Sequence, residues 1–273
     1  SSDVCSSDLK RGKSSLINAI IGQELSPVRE STPETATVVE FKYAHAPDYS
    51  VRFLDSSQFA RLEDYLENEQ DNLLLTRKIE HIRKGVSDGT FIPGKLLSGI
   101  TCWDDLSDYI SLEGRFSGFV SRVSVGLPLD TLRAGVVLVD TPGIHRPRTL
   151  LGQRLNDVVD ESLADVDVVA FLLPADQEIG PGDKRILSRL RTDFATKRED
   201  GTFKWRIPLI AIVTKIDELG RQQLINKLIE INDFADFSDI VPVSALKHDN
   251  LAEVKNVLIE HTPEGPQMYP DDQ

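Results

Sequence analysis

The sequence of 273 residues predicts an α/β fold in which helices cover both faces of a mostly parallel sheet. Two observations lead to this prediction. Strand candidates in the second half, such as DVDVVAFLLPA and IPLIAIVTK, are continuous apolar runs, which is typical of strands buried on both faces. These runs alternate with amphipathic helical segments, such as GDKRILSRLR and LAEVKNVLIEH.

The composition indicates a globular chain without a long nucleic-acid footprint. A hydrophobic content of 40% suffices for a core, and a formal net charge of −13 argues against extended contacts with a phosphate backbone, so we predict no DNA partner. Cys5 and Cys102 are too few for a disulfide framework, and the five histidines lack metal-site spacing, which favours a reducing, cytoplasmic compartment. No apolar run approaches the ~18 residues of a membrane span.

The sequence of the first half predicts a helix, two strands and a helical insertion. Apolar residues recur at helical spacing over 14–21, and Gly22 ends this helix. Residues 37–43 and 49–54 are rich in strand formers, and the charged segment 55–118 reads as helical.

The second half predicts strands and helices in strict alternation, four of each. The strands are GVVLVDTPG, DVDVVAFLLPA, IPLIAIVTK and DIVPVSA. The helices are GQRLNDVVDESL, GDKRILSRLR, LINKLIEI and LAEVKNVLIEH.

Gly12, Lys13 and Ser14 supply the second half of a phosphate-binding loop, G-x-x-x-x-G-K-[ST]. Ser7 stands where the first glycine is expected, and small polar residues precede it where a buried strand is expected. In such a loop the backbone N–H groups from Gly12 to Ser15 face the β-phosphate at a helix N-terminus. Lys13 places a cation at the β and γ oxygens, and the Ser14 hydroxyl faces Mg²⁺.

Four further motifs follow in order. They are a threonine-rich loop at 31–37, D-T-P-G at 140–143, T-K-I-D at 214–217 and S-A-L-K at 244–247. The last three each follow a predicted strand. This order is the five-motif signature of a guanine-nucleotide-binding domain, so the predicted fold is a three-layer P-loop NTPase of the Ras-like G-domain class.

The threonine loop and D-T-P-G supply the remaining groups for Mg²⁺ and the γ-phosphate. Thr35 is the preferred threonine for completing the Mg²⁺ shell and positioning water, with Thr32 and Thr37 as alternatives. Asp140 ends its strand where it can hold the metal through water, and the Gly143 N–H can meet the γ-phosphate. The catalytic set is therefore Lys13, Thr35 and Gly143, and the metal set is Ser14, Thr35 and Asp140.

The last two motifs predict recognition of guanine. Asp217 can accept two hydrogen bonds, from N1 and N2 of guanine, which adenine cannot offer, while the stem of Lys215 packs against the base. Thr214 stands where asparagine is more common, a variant expected to weaken support between this loop and the P-loop. The last loop would close over the base, with the Ala245 N–H facing guanine O6, and its predicted binding residues are Ser244, Ala245 and Leu246.

From Val136 to the end, the chain resembles the Era family of GTPases. The resemblance lies in DTPGIHRPRTLLGQRLNDVVDESLADVDVVAFLLPADQEIGPGDKRIL, IVTKIDEL, DIVPVSALKHDNLAEV and PEGPQMYPDDQ. It implies that 264–273 is a linker to a C-terminal KH domain. It also implies a role in small ribosomal subunit maturation, through contact with 16S rRNA that needs this KH domain.

Residues 10–140 resemble the dynamin-like large GTPases instead. RGKSSLINAIIGQELSPV, the TPETAT loop, the insertion and VSRVSVGLPLDTLRAGVVLVDTPG are the segments that match. Too many residues separate Gly12 from Asp140 in the sequence for an Era-like domain, which has only a short run between its threonine switch and D-T-P-G. This second resemblance implies a membrane surface as partner and peripheral location at the inner face of the membrane.

The two resemblances change over at VDTPG, the string that both families share. Joining of two GTPase genes, by natural recombination or by misassembly of short reads, would give this pattern. Residues 1–9, SSDVCSSDL, read like a translated sequencing adapter, so we predict a non-native leader and exclude it from fold reasoning. A genuine hybrid with a divergent N-terminus is the alternative. The predicted domains are 1–9 as leader, 10–263 as GTPase domain and 264–273 as linker.

The sequence therefore predicts a Mg²⁺-dependent GTPase that cleaves the β–γ phosphoanhydride of GTP to give GDP. Lys10 stands where Era-like P-loops carry asparagine, so we do not predict potassium activation. Ile144 replaces a water-orienting glutamine, which predicts slow intrinsic turnover. Two alternatives stay open: a dynamin-like membrane-remodelling GTPase, and an inert fragment that lacks the strand before the P-loop.

Overall fold

The computed structural model describes residues 12–23, 25, 37–60, 84–89, 92–110, 116–133, 138–140, 166–199 and 203–263. The chain divides into two compact units. The first unit combines Ser1–Glu24 with Asp165–Gln273, and the second is Leu25–Ala164. The predicted boundaries of the leader, GTPase domain and linker stay predictions.

The helices and strands are numbered here in chain order. The helices whose full range lies within the described residues are α1 Lys13–Ile21, α2 Ser107–Ile110, α3 Asp130–Arg133, α4 Pro181–Phe194, α5 Arg221–Phe234 and α6 Leu251–His261. The strands are β1 Val38–Tyr43, β2 Asp48–Phe53, β3 Leu96–Ile100, β4 Val120–Leu127, β5 Leu138–Asp140, β6 Val169–Pro174, β7 Ala195–Lys197, β8 Phe203–Trp205, β9 Leu209–Thr214 and β10 Asp239–Pro242. Short 3₁₀ turns lie at Trp103–Leu106, Ser117–Phe119 and Ile216–Glu218.

The first unit is built on a three-stranded parallel sheet in the order β10-β9-β6. All six residues of the central strand β9 are buried, as its continuous apolar sequence predicts. Helix α1 packs against α6. The parallel pairing brings the carboxyl ends of all three strands to one edge of the sheet, where ligands of α/β proteins bind.

The second unit contains a mixed sheet in the order β3-β2-β4-β1-β5. Strands β1 and β4 pair in parallel, whereas β2 pairs antiparallel with β3 and β4, and β5 pairs antiparallel with β1. Strand β3 lies within the segment 55–118, which the sequence predicts to be helical. It is an edge strand with mostly exposed residues, so it lacks the apolar alternation that identifies a strand.

The predicted elements that fall on described residues agree closely with the structure. Helix α1 ends at Ile21, where Gly22 adopts φ 78° and donates its N–H to the Asn18 carbonyl. LAEVKNVLIEH forms α6 over its whole length. The antiparallel pair β7 and β8 was not predicted, because its strands have only three residues each. The predicted helix GQRLNDVVDESL lies outside the described residues, as do residues 61–83, 90–91 and 111–115 of the insertion.

None of the helices in the described part of the chain is long and apolar enough to cross a membrane. The longest are α4 and α5, with 14 residues each, and both are amphipathic rather than uniformly apolar.

Replacing Gly126 with alanine is expected to destabilise the second unit. A Cβ at Gly126 would lie 2.7 Å from the Ala44 Cβ and 3.3 Å from the Asp48 Cβ, closer than carbon atoms pack. Overpacking of this kind costs about 1–3 kcal/mol. Chemical denaturation measures the change, and Arg52→Ala, at an exposed position on β2, is the control, expected within about 0.5 kcal/mol of the wild type. Equal stability of the Gly126→Ala variant and the control would contradict this packing.

Candidate nucleotide-binding site

The P-loop glycine lies beside the carboxyl end of β9. Gly12 precedes α1 with φ 76°, a left-handed conformation that favours glycine, and its carbonyl accepts the first helical hydrogen bond from the Leu16 N–H at 2.8 Å. A Cβ at Gly12 would be 4.0 Å from the Thr214 Oγ1. The threonine side chain therefore faces the loop, and the positive end of the α1 dipole lies at the edge of the parallel sheet.

The three residues after Gly12 form the first turn of α1. Lys13, Ser14 and Ser15 are all half-buried, so their backbone N–H groups and polar side chains lie at a partly enclosed helix N-terminus. Helix N-termini of this kind are suited to anions, because N–H groups without intrahelical partners point outward. The structure thus supports the placement of these three residues at a helix start, as the sequence predicts.

The segment after β9 is a tight turn joined to both neighbouring strands. Thr214 is 3% exposed, and its carbonyl accepts a hydrogen bond from the Ala175 N–H at 2.8 Å. Lys215 adopts φ 60°, a left-handed conformation that is uncommon outside glycine. The 3₁₀ turn Ile216–Glu218 follows, and the Ile216 N–H donates to the Val243 carbonyl. The backbone therefore fixes where the side chains of this turn begin.

Asp217 is held by a serine from the next loop. The Ser244 Oγ donates a hydrogen bond to the Asp217 Oδ1 at 2.6 Å and accepts one from the Lys247 N–H at 3.1 Å. Ser244 is 0% exposed, and its backbone exchanges two hydrogen bonds with Asp249. Asp217 itself is half-buried, so its carboxylate is both oriented by the protein and accessible to a ligand.

The electrostatic surroundings keep Asp217 ionised. The hydrogen bond from Ser244 is the main cause that lowers the pKa of Asp217 below its ordinary value. Burial of the carboxyl opposes this effect, while its own backbone N–H and the positive charges of Lys247 and Lys215 add to it. An ionised carboxylate only accepts hydrogen bonds, so Asp217 is suited to a ligand edge that presents two N–H donors.

Replacing Ser244 with alanine is expected to raise the pKa of Asp217 and to weaken nucleotide binding about 10-fold or more, since one hydrogen bond to a charged group contributes about 1.5–3 kcal/mol. A lowered carboxyl pKa in the folded state stabilises the fold above the unfolded-state pKa, and this contribution is lost as the pH falls through the folded-state pKa. GDP binding also needs the ionised carboxylate, because only that form accepts both N–H donors of guanine. With the pKa of Asp217 raised, the variant should lose GDP affinity at a higher pH than the wild type. Calorimetric titration from about pH 7 down to about pH 3, across the ordinary carboxyl pKa of 3.8, measures this shift.

The control for this variant is Ser238→Ala, at an exposed serine of the same unit. Its GDP affinity should follow the wild-type pH profile. An unchanged profile in the Ser244→Ala variant would contradict the role given to the 2.6 Å hydrogen bond.

The structure places the predicted base-binding residues together but describes only part of the predicted phosphate site. Ala245 and Leu246 lie in the loop after β10, with Leu246 79% exposed. Thr35 and Gly143 lie outside the described residues. For Asp140 the structure describes the backbone, which ends β5 in the second unit. The roles of these residues stay predictions.

Two residues of this edge were not foreseen from the sequence. The Lys215 Nζ contacts the Asp176 Oδ2 at 2.9 Å, and the Asn250 Nδ2 donates to the Pro242 carbonyl at 2.7 Å. Asp176 follows the carboxyl end of β6 by two residues, and a search for acidic residues at strand ends could have found it. Asn250 adopts φ 62°, for which asparagine after a strand and before a helix is a usable signal.

The fold and this set of motifs define a G domain of the P-loop class. Residues 7–216 match the family model described as the dynamin family, which is more than half of the chain. The chain belongs to that family. The matched range extends past the predicted changeover at VDTPG.

Relatives named GTPase Era are similar to one half of the chain. The relative from Corynebacterium diphtheriae is 43% identical over 140 residues, which is 51% of this chain and 43% of the relative. The relative from Mycolicibacterium smegmatis is 43% identical over 137 residues, which is 50% of this chain and 42% of the relative. The chain thus spans less than half the length of these relatives. The Era-like and the dynamin-like resemblance are both confirmed.

A solved structure supports the fold. It is an oligomerised bacterial dynamin pair, described as a mechanism for long-range sensing and tethering of membranes. It aligns with a TM-score of 0.65 at 18% identity and covers 92% of this chain and 36% of that chain. This likeness confirms the α/β G-domain fold that the sequence predicts.

Proposed function

We propose that this chain binds GTP and hydrolyses the bond between its β and γ phosphates with the help of Mg²⁺. The observation that carries the proposal is the Asp217 carboxylate, oriented by Ser244 at the sheet edge where Gly12 precedes α1. A carboxylate for the base and a helix N-terminus for the phosphates are the two recognition elements that a guanine nucleotide requires.

Base selection follows from the hydrogen-bonding capacity of Asp217. Guanine presents N–H donors at N1 and N2 on one edge, and a carboxylate can accept both. Adenine has an acceptor at N1, which would face the carboxylate without a proton between them. A site built for a specific hydrogen bond rejects ligands that lack it strongly, so GTP is preferred to ATP.

The phosphates are assigned to the first turn of α1. Backbone N–H groups and the Lys13 ammonium would bind the β and γ oxygens, where negative charge increases in the transition state. The predicted Mg²⁺ donors are the Ser14 and Thr35 hydroxyls and, through water, the Asp140 carboxylate. These are all oxygen donors, which fit a hard cation, and the ion when bound would neutralise phosphate charge.

The experiment that tests this proposal is phosphate release from GTP and from ATP, each with Mg²⁺ and with a chelator. We expect release from GTP with Mg²⁺, with turnover that is slow because Ile144 cannot orient water, and little release from ATP. Equal rates with GTP and ATP would contradict the assigned base site. Absence of both GTP hydrolysis and GDP binding would favour an inert fragment.

For the cellular role, we propose the one that the resemblance to the Era family implies. The 43% identity to relatives named GTPase Era over half of the chain supports a role in small ribosomal subunit maturation through 16S rRNA. Membership of the dynamin family supports membrane remodelling as a second candidate. Co-sedimentation with small ribosomal subunits and with anionic lipid vesicles, each with a non-hydrolysable GTP analogue, separates the two roles. Binding to subunits alone supports the first, and binding to vesicles alone supports the second.

A further inference from the structure

An ion pair joins the ends of two neighbouring parallel strands beside the base site. Pro174 at the end of β6 pairs in register with Thr214 at the end of β9. Asp176 lies two residues after Pro174, and Lys215 directly follows Thr214. The Lys215 Nζ lies 2.9 Å from the Asp176 Oδ2. The backbone hydrogen bond from Ala175 to Thr214 fixes the two strand ends at this point.

Lys215 is a residue whose position needs support. Its φ of 60° sets the direction in which the side chain leaves the backbone, but the long stem has several rotatable bonds. Because the backbone fixes one end of the side chain and the ion pair with Asp176 fixes the ammonium at the other, the methylene stem has few available conformations. A methylene stem held in this way offers an apolar wall against which a flat base can pack.

The same ion pair also protects the carboxylate that recognises the base. Lys215 is two residues from Asp217, and its positive charge is one of those that lower the pKa of Asp217. An ammonium without a partner would be attracted to the Asp217 carboxylate and would compete with the N–H donors of the base. Asp176 supplies a partner for the ammonium at the neighbouring strand end.

We infer that Asp176 is a positioning residue for guanine recognition, which acts through Lys215. It holds the ammonium so that the stem forms one wall of the base site and Asp217 stays open to N1 and N2 of guanine. This inference rests on the proposed function. In the proposed site Asp176 touches neither the phosphates nor the attacking water, so it contributes to binding and base selection rather than to the chemical step.

The Asp176→Ala variant should bind GDP about 5-fold more weakly than the wild type, as expected for a partly exposed ion pair whose loss also frees a long side chain. Its preference for GDP over IDP should also fall. The base of IDP is hypoxanthine, which lacks the N2 amine of guanine, so IDP binding depends less than GDP binding on an Asp217 carboxylate that is free to accept two hydrogen bonds. In phosphate release, KM should rise by a similar factor while kcat stays within about 2-fold. Asp176→Glu, which keeps the charge, should restore most of the affinity.

A double-variant cycle tests whether Asp176 acts through Lys215. Lys215→Met keeps an apolar stem without the charge, so Asp176→Ala should have little further effect in that background. Glu178→Ala removes an exposed carboxylate from the same loop and is the matched control, expected to bind GDP like the wild type. Thermal melting of each variant verifies that it is folded.

The outcomes separate this inference from the proposed function. Wild-type binding of GDP together with unchanged affinity and unchanged GDP-to-IDP preference in Asp176→Ala would overturn the inference alone. Equal effects of Asp176→Ala in the wild-type and Lys215→Met backgrounds would also overturn it. Absence of GDP binding by the wild-type chain would overturn the proposed function and this inference together.

Discussion

Replacing Asp217 with asparagine is expected to weaken GDP binding by at least about 100-fold and to create affinity for xanthosine diphosphate. The carboxylate would accept hydrogen bonds from both N1 and N2 of guanine, and each bond to a charged group contributes about 1.5–3 kcal/mol. In the variant the bond from N2 is lost and leaves that donor unsatisfied, and the bond from N1 goes to a neutral oxygen; together these losses amount to about 2.7 kcal/mol or more, which is a factor of about 100.

The reversal of base preference follows from the exchange of one acceptor for a donor. The asparagine Oδ1 can still accept from Ser244 and from N1 of the base, but its amide group donates and meets the N2 donor of guanine unfavourably. Xanthine has a carbonyl oxygen at that position and can accept this bond. The variant should therefore prefer xanthosine diphosphate.

Calorimetric titration with the two nucleotides measures this effect. Glu218→Gln is the matched control, because it makes the same chemical change at the exposed neighbouring residue. It should bind GDP within about 2-fold of the wild type, as is usual for a surface substitution. Unchanged GDP affinity in the Asp217→Asn variant would show that Asp217 does not bind the base.

Replacing Lys13 with alanine is expected to lower kcat/KM for GTP hydrolysis by at least about 100-fold. In the proposed site the ammonium neutralises charge on the β and γ oxygens as it develops. Removing one such preorganised group from an active site costs about 100- to 1000-fold. Because the γ-phosphate supplies much of this charge, GTP binding should weaken more than GDP binding.

Phosphate release and titration with a non-hydrolysable GTP analogue measure the effect of Lys13→Ala. Lys184→Ala is the control, since Lys184 is an exposed lysine on α4 in the same unit. Its hydrolysis rate should match that of the wild type. A Lys13→Ala variant with wild-type kcat/KM would show that the first turn of α1 does not bind the reacting phosphates.

The helices and buried strands could be predicted from the sequence because their patterns are local. Helix α1 has apolar residues at helical spacing and a glycine at its end, and β9 is a continuous apolar run. Strand β3 escaped prediction because it is an exposed edge strand inside a charged segment, where pairing with β2 rather than its own pattern determines its structure.

The site was predictable as a set of motifs but not as a network of contacts. T-K-I-D and S-A-L-K predict Asp217 and Ser244 as residues of the site. The hydrogen bond between them joins residues 27 positions apart, and the ion pair between Lys215 and Asp176 joins residues 39 positions apart. Contacts of this kind depend on how the strands pair, which no local pattern in the chain specifies.

Titration of the wild-type chain with GDP and ADP in the presence of Mg²⁺ tests whether the chain carries a guanine-specific nucleotide site. We expect saturable binding of GDP at a single site and ADP affinity at least about 100-fold lower, because adenine donates to Asp217 at neither position. Equal affinity for the two nucleotides, or no binding of GDP, would rule out a guanine-specific site.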